Sequence, residues 1–209
     1  MHDEKYKTIV QHYESCFRQF GDSHRGVDWP NQQDADTRYR IMLEVVSERK
    51  AEAVSLLDFG CGVSHLLEYI NRSGYEGIEY SGLDMSPEFV KASREKFPQN
   101  AYYELDILYD ATALPTFDYI VMNGVFTEKR DLTFDEMLDY FMRLTTVVFQ
   151  KCNKGMAFNV MSKQVDWERQ DLFHLPLDDL AWFLTRNVSR NFIIRNDYKL
   201  YEYTTYVYK

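Results

Sequence analysis

The chain has 209 residues, 45% of them hydrophobic, which is one domain's worth and enough for a full core. Its formal net charge of −9 repels phosphate backbones and argues against nucleic acid as the main substrate. Three cysteines (Cys16, Cys61, Cys152) without CxxC or metal-ligand spacing suggest reduced thiols in a cytoplasm and no metal. The charged start Met1-His2-Asp3-Glu4-Lys5 lacks a signal core, and no apolar run nears the ~20 residues of a membrane span.

In chain order, residues 5–20 place Tyr6, Ile9, Val10, Tyr13 and Phe17 on one helical face, and Gly21 ends that helix. A polar loop follows, with Trp29 set among charges. A second helix is expected from about Asp34 to Arg49, with Tyr39, Met42, Leu43 and Val46 inward. Val54–Asp58 then reads as an apolar strand ending in an acid. The turn Gly60-Cys61-Gly62 comes next, and a helix starts from Ser64. Glycines let a backbone turn sharply beside a ligand, and a helix N-terminus offers free N–H groups there.

Two further strands repeat the pattern, Tyr80–Asp84 and Ala101–Asp106, each ending in an acid about twenty residues after the last. Ligands bind along that edge in open α/β sheets. A carboxylate there can accept hydrogen bonds from ribose hydroxyls or from an adenine amine. Ser86 and Pro87 form an N-cap and first helical residue, and Pro98 closes that helix. A fourth strand covers Phe117–Asn123. Thr133–Glu136 has capping-box spacing and opens a helix to about Gln150. A fifth strand, Met156–Met161, follows Gly155. Ser162–Leu175 is an insertion rich in charge and aromatics, and Pro176 starts another helix through Asn187. Asn191–Ile194 and Tyr201–Tyr208 form a terminal hairpin. Alternating strands and helices imply a parallel sheet.

Asp58-Phe59-Gly60-Cys61-Gly62, Gly82-Leu83-Asp84-Met85-Ser86, Leu105-Asp106-Ile107 and Phe117–Asn123 together resemble the motifs of class I S-adenosylmethionine-dependent methyltransferases over nearly the whole chain. The usual third glycine is Ser64, a common departure. The resemblance implies an α/β, Rossmann-like, doubly wound sheet of seven mostly parallel strands, with an antiparallel terminal hairpin and an N-terminal helical lid. It implies a single domain over 1–209, with residues 1–50 as the lid and 51–209 as the cofactor-binding core. The cofactor would be S-adenosylmethionine. It would meet Asp58, Gly60, Cys61, Gly62, Asp84, Met85, Asp106, Ile107, Asn123 and Gly124, with Arg38 near its carboxylate. Tyr13, Trp29, Phe126 and Asn159 are candidates for the lid and acceptor site.

Methyl transfer needs positioning more than a nucleophile, and a base only when a hydroxyl is methylated. His12, His24, His65 and His174 are candidate bases because imidazole titrates near neutral pH. Asp166 and Glu128 are carboxylate rivals, and His174, His12 and Asp166 are the favoured three. The run Glu128-Lys129-Arg130-Asp131 reads as a solvated loop. The acceptor is expected to be a small molecule: a sugar, a saccharide-linked group or a natural-product precursor, methylated on oxygen. The chain is expected to be cytoplasmic, without nucleic-acid or membrane partners, as a monomer or homodimer. The alternatives are a cofactor-binding module of the same fold without turnover, and an NAD(P)-dependent oxidoreductase. A nucleic-acid methyltransferase is disfavoured by Asn123-Gly124-Val125-Phe126, which stands where such enzymes carry a Pro-Pro-aromatic run.

Overall fold

The structure is a computed structural model that describes residues 4–46 and 53–209. The start at Met1–Asp3 lies outside the described residues, and the second helix, expected to about Arg49, ends at Leu43 with Glu44 as its C-cap. Helix α1 spans Lys7–Phe20 and α2 spans Gln32–Leu43. Then come β1 (Val54–Phe59), α3 (His65–Arg72), β2 (Ile78–Asp84), α4 (Pro87–Lys96), β3 (Ala101–Glu104) and β4 (Phe117–Phe126). They are followed by α5 (Phe134–Gln150), β5 (Cys152–Ser162), β6 (His174–Leu175), α6 (Leu177–Asn187), β7 (Phe192–Arg195) and β8 (Glu202–Tyr208).

The sheet runs β3-β2-β1-β4-β5-β8-β7. Strands β1 to β5 are parallel, and β8 pairs antiparallel with both β5 and β7. Apolar residues alternate between two cores. Leu57, Ile120 and Phe158 face α5 and α6, while Leu56, Val121 and Ala157 face α2 and α3. The fold is therefore Rossmann-like and doubly wound, as the family resemblance implies. The seven expected strands form the main path. An eighth, β6, is a two-residue strand that pairs parallel with Met161 and Ser162 at the end of β5. It lies inside what reads in sequence as an insertion, because two residues carry no periodicity.

Local signals explain several ends. Ser86 accepts the Phe89 N–H at the start of α4, where Pro87 takes the first helical position. Thr133 and Glu136 form a complete capping box on α5. Helix α2 starts earlier than expected because Asn31 caps it through the Asp34 N–H. Among the described residues no helix is long and apolar enough to cross a membrane.

Candidate functional site

The C-terminal ends of β1, β2 and β4 open into a cavity. Asp58, Gly60, Cys61, Gly62, Asp84, Met85, Asn123 and Gly124 all line it. At its floor Asp84 is buried, with Oδ2 accepting the Gly62 N–H and Oδ1 the Ser86 N–H, each at 2.9 Å. Each oxygen keeps a second lone pair for a ligand hydroxyl. Burial pushes the Asp84 carboxyl up to about 6, against the opposing pull of the Ser86, Gly62 and Met85 amides. The turn above it depends on Gly60, at φ +75, where a Cβ would stand 2.8 Å from Val125 Cγ2. The buried Asn123 Oδ1 has no hydrogen-bond partner, so a buried acceptor stands ready at the β4 end of the cavity.

Asp58 sits deeper and accepts the Tyr80 hydroxyl at 2.9 Å. Burial lifts its carboxyl to about 7; the Tyr80 bond opposes this and the Asp84 charge adds to it. The folded state therefore holds this proton more tightly than the unfolded chain does. The resulting stabilisation is fully present below the unfolded carboxyl pKa and is lost as pH rises through about 7. Asp58→Asn keeps an oxygen for Tyr80 and cannot ionise. Its melting temperature is expected to exceed that of the unsubstituted protein by more at pH 8 than at pH 5. Equal differences at both pH values would show that Asp58 does not carry this proton.

Helix α1 roofs the cavity: Tyr6, Ile9, Val10 and Tyr13 line it from above. Tyr6 stacks on Tyr140, with ring centroids 4.7 Å apart, and donates its hydroxyl to Asp106 Oδ2 at 2.8 Å. Asp106 stands two residues beyond the end of β3, in a turn where its Oδ1 accepts the Leu108 N–H at 3.1 Å. It does not line the cavity, and Ile107 is buried in the core. Glu14 accepts the Ser86 hydroxyl at 2.7 Å, and Arg18 pairs with Glu88. His12 Nε2 lies 2.7 Å from Asp28 Oδ2 and 3.7 Å from Cys16 Sγ. The ligand atoms of these three residues lie within 4.8 Å of one another, the geometry of a metal-capable group. In this structure the His12–Asp28 contact ties α1 to the following loop.

Trp29 is the wall between this cavity and a second one. Its ring lies against Gly124, where φ is +80 and a Cβ would meet Trp29 Cζ2 at 2.8 Å. The Arg38 guanidinium stacks over the same ring at 4.1 Å. Arg38 Nε donates to Glu202 Oε2 at 2.8 Å, and Asn159 Nδ2 donates to Glu202 Oε1 at 2.9 Å. Asn159 Oδ1 in turn accepts the Gly124 N–H at 2.8 Å. A closed buried circuit thus fixes the end of β4, Trp29 and α2 relative to one another.

The circuit corrects two expectations. Arg38 is committed to Glu202 and lines the second cavity, so it is not placed toward a cofactor carboxylate. Asn159 is fully buried and lines neither cavity; it positions Gly124 and Glu202. Phe126 also departs from its expected place. Strand β4 continues past Gly124, which leaves Phe126 buried edge-on to Phe141 and Phe158 in the core. Glu128, read as part of a solvated loop, is buried. Burial and the Asp28 charge raise its carboxyl, against pairing with Arg130.

The candidate bases differ in what they touch. His24 Nδ1 is bonded to the Trp29 carbonyl at 2.8 Å, and His65 Nε2 to Asp22 at 2.7 Å. His174 is buried and lines the second cavity, with Nδ1 2.6 Å from the Ser162 carbonyl and no partner at Nε2. A carbonyl can only accept, so Nδ1 carries the hydrogen and Nε2 presents a lone pair. Asp166 is exposed and lines the same cavity.

Glu202, Tyr6, Glu14 and Tyr80 were not among the candidate site residues read from the sequence. Glu202 left one usable signal. It is a carboxylate at the start of a strand of apolar and β-branched residues that is buried from Glu202 to Val207, which requires a buried counter-charge.

Residues 57–146 match a family described as a methyltransferase domain. A Mycobacterium tuberculosis protein that is a methyltransferase by name is 29% identical over 161 residues, covering 76% of this chain and 95% of that protein. The magnesium protoporphyrin IX methyltransferase of Synechocystis, solved with S-adenosylhomocysteine, shares the fold with a TM-score of 0.66 at 15% identity, covering 97% of this chain and 99% of its own. The plantazolicin methyltransferase BpumL shares it with a TM-score of 0.61 at 14% identity, covering 99% and 98%. Sheet order, glycine turn and domain match define the class, a Rossmann-like methyltransferase. Residues 57–146 carry a methyltransferase domain, and the chain is similar to S-adenosylmethionine-dependent methyltransferases.

Proposed function

We propose that this protein methylates a hydroxyl group of a small molecule: a sugar, a saccharide-linked group or a natural-product precursor. The observation that carries the reading is Asp84, a buried carboxylate at the floor of a cavity lined by the Gly60–Gly62 turn. Its free lone pairs suit vicinal ribose hydroxyls, and the unpartnered Asn123 Oδ1 suits the ammonium of the methionyl group. The cofactor supplies, when bound, an electrophilic methyl on a sulfonium. Asp84, Met85 and the glycine turn would hold the adenosyl half, and Asn123 and Gly124 the methionyl half. Two similar folds belong to enzymes named for small molecules, a magnesium porphyrin and plantazolicin, which supports an acceptor of that size. Incubation with methyl-labelled cofactor and pooled sugars, phenols and small acids tests the reading. Label in a small hydroxylated product is expected, and label only in added RNA or DNA would overturn it.

Helix α1 and the loop to Pro30 act in this reading as a lid. They are held by polar bonds at partly exposed sites, such as Arg18–Glu88, each worth little net energy, and by the packing of Tyr6 on Tyr140 and Phe17 on Phe89, which opening would have to break. Closure would exclude water and complete the acceptor site. Amides of residues 7–30 are expected to exchange faster without S-adenosylhomocysteine than with it. Equal strong protection in both states would make the segment a fixed part of the core.

A further inference from the structure

We propose that the second cavity, behind Trp29, is the acceptor chamber. We infer that it takes a neutral, hydroxyl-rich ring compound of the glycoside class, and that His174 Nε2 receives the proton of the hydroxyl that is methylated. This rests on the methyltransferase reading above.

Two buried polar atoms without partners lie on residues that line this cavity: Nη1 of Arg38, a donor, and Nε2 of His174, an acceptor. Both atoms are closed to solvent in this structure, and leaving either unsatisfied is costly, so a small shift that turns them to the cavity would favour a ligand that both accepts and donates. A hydroxyl does both, and a ring carrying several hydroxyls can meet both atoms at once. The charges exclude an anionic ligand. The cavity's two guanidiniums are already committed, Arg38 to Glu202 and Arg169 to Asp171. The carboxylates of Asp28, Asp34, Glu128, Asp166 and Glu202 also line it, so the local field repels phosphate. Carboxylates are acceptors that hydroxyl groups satisfy without a charge of their own. At the mouth stand Trp167 and Tyr201, 71% and 59% exposed, with ring centroids 6.5 Å apart. Exposed aromatics side by side beside polar groups give flat apolar area for the C–H face of a sugar ring.

Trp29 stands between the two cavities, so its ring must turn aside for the acceptor to reach the cofactor. The acceptor oxygen forms the new C–O bond as the C–S bond breaks, and that electron pair stays on sulfur as a neutral thioether. The O–H proton passes to His174 Nε2, giving an imidazolium that the Ser162 carbonyl stabilises through Nδ1–H.

The test titrates the full chain, saturated with S-adenosylhomocysteine, with neutral methyl glycosides, a sugar phosphate and an amino sugar. Binding is followed by calorimetry and tryptophan fluorescence. Saturable binding of a neutral glycoside is expected, at least tenfold tighter than the phosphate and weakened about tenfold by Trp167→Ala. His174→Asn keeps a donor for Ser162 and removes the base. It is expected to bind that glycoside within about threefold of the unsubstituted protein and to transfer methyl at least a hundredfold more slowly. No saturable neutral glycoside binding, or a preference for the phosphate or the amino sugar, overturns the acceptor class. Undiminished transfer by folded His174→Asn overturns the base. S-adenosylhomocysteine binding, measured first, separates these failures from failure of the methyltransferase reading itself.

Discussion

Replacing Asp84 with alanine is expected to weaken S-adenosylhomocysteine binding about a hundredfold while the protein stays folded. Each charge-assisted hydrogen bond from a ribose hydroxyl to this carboxylate contributes about 1.5–3 kcal/mol, and about 1.4 kcal/mol is tenfold in affinity. Two such bonds exceed a hundredfold before the ligand's remaining contacts compensate. The substitution also strips the Gly62 and Ser86 amides of their acceptor, which loosens the turn that faces the ligand. The pH dependence gives an independent signature. Asp84 in the empty protein is pushed up to about 6, and only the ionised form offers all its lone pairs. Affinity is therefore expected to be flat above about pH 7 and to fall as pH drops through 6, a fall that Asp84→Ala lacks. Calorimetry across that range checks both. Unchanged affinity in the variant would show that Asp84 does not touch the ribose.

The largest expected loss of stability comes from the other side of Trp29. Glu202→Ala leaves Arg38 buried and charged with its Nε unanswered, since Glu202 is its ion-pair partner. Breaking one half of a buried pair costs about 3–5 kcal/mol, while replacing both halves by apolar residues is often near neutral. Glu202→Ala is accordingly expected to lower the free energy of unfolding by that amount in a denaturant titration. The double substitution Arg38→Met, Glu202→Met should recover most of it. Asn159 also loses the acceptor of its amide in Glu202→Ala, so Gly124 and Trp29 should shift with it, visible as a change in tryptophan fluorescence. A loss below about 1 kcal/mol, the worth of an exposed pair, would mean that solvent already reaches Arg38.

Much of the cofactor side was legible in sequence because it is local. The Gly60-Cys61-Gly62 turn follows its strand directly. Asp84 closes β2, and Ser86-Pro87 and Thr133–Glu136 announce their helices within four residues. Strand ends were less legible: Asp106 falls in a turn beyond Glu104, where it meets Tyr6 of the lid instead of lining the cavity. The acceptor side was hidden because its partners are distant. Arg38 and Glu202 are 164 residues apart, and a lone arginine in a helix gives no sign of its counter-charge. Phe126 sits next to site residues in sequence, yet the alternation of β4 turns it into the aromatic core. His174 could be named from its place after β5. Which of its nitrogens is free follows only from the Ser162 carbonyl, twelve residues away on the neighbouring strand.

The cavity over Asp84 is built for an adenosyl sulfonium cofactor. Titration of the purified protein with S-adenosylhomocysteine and, in parallel, with oxidised and reduced nicotinamide dinucleotides tests it most directly. Saturable one-to-one heat with S-adenosylhomocysteine is expected, and none with either dinucleotide. Tight dinucleotide binding without any response to S-adenosylhomocysteine would contradict it.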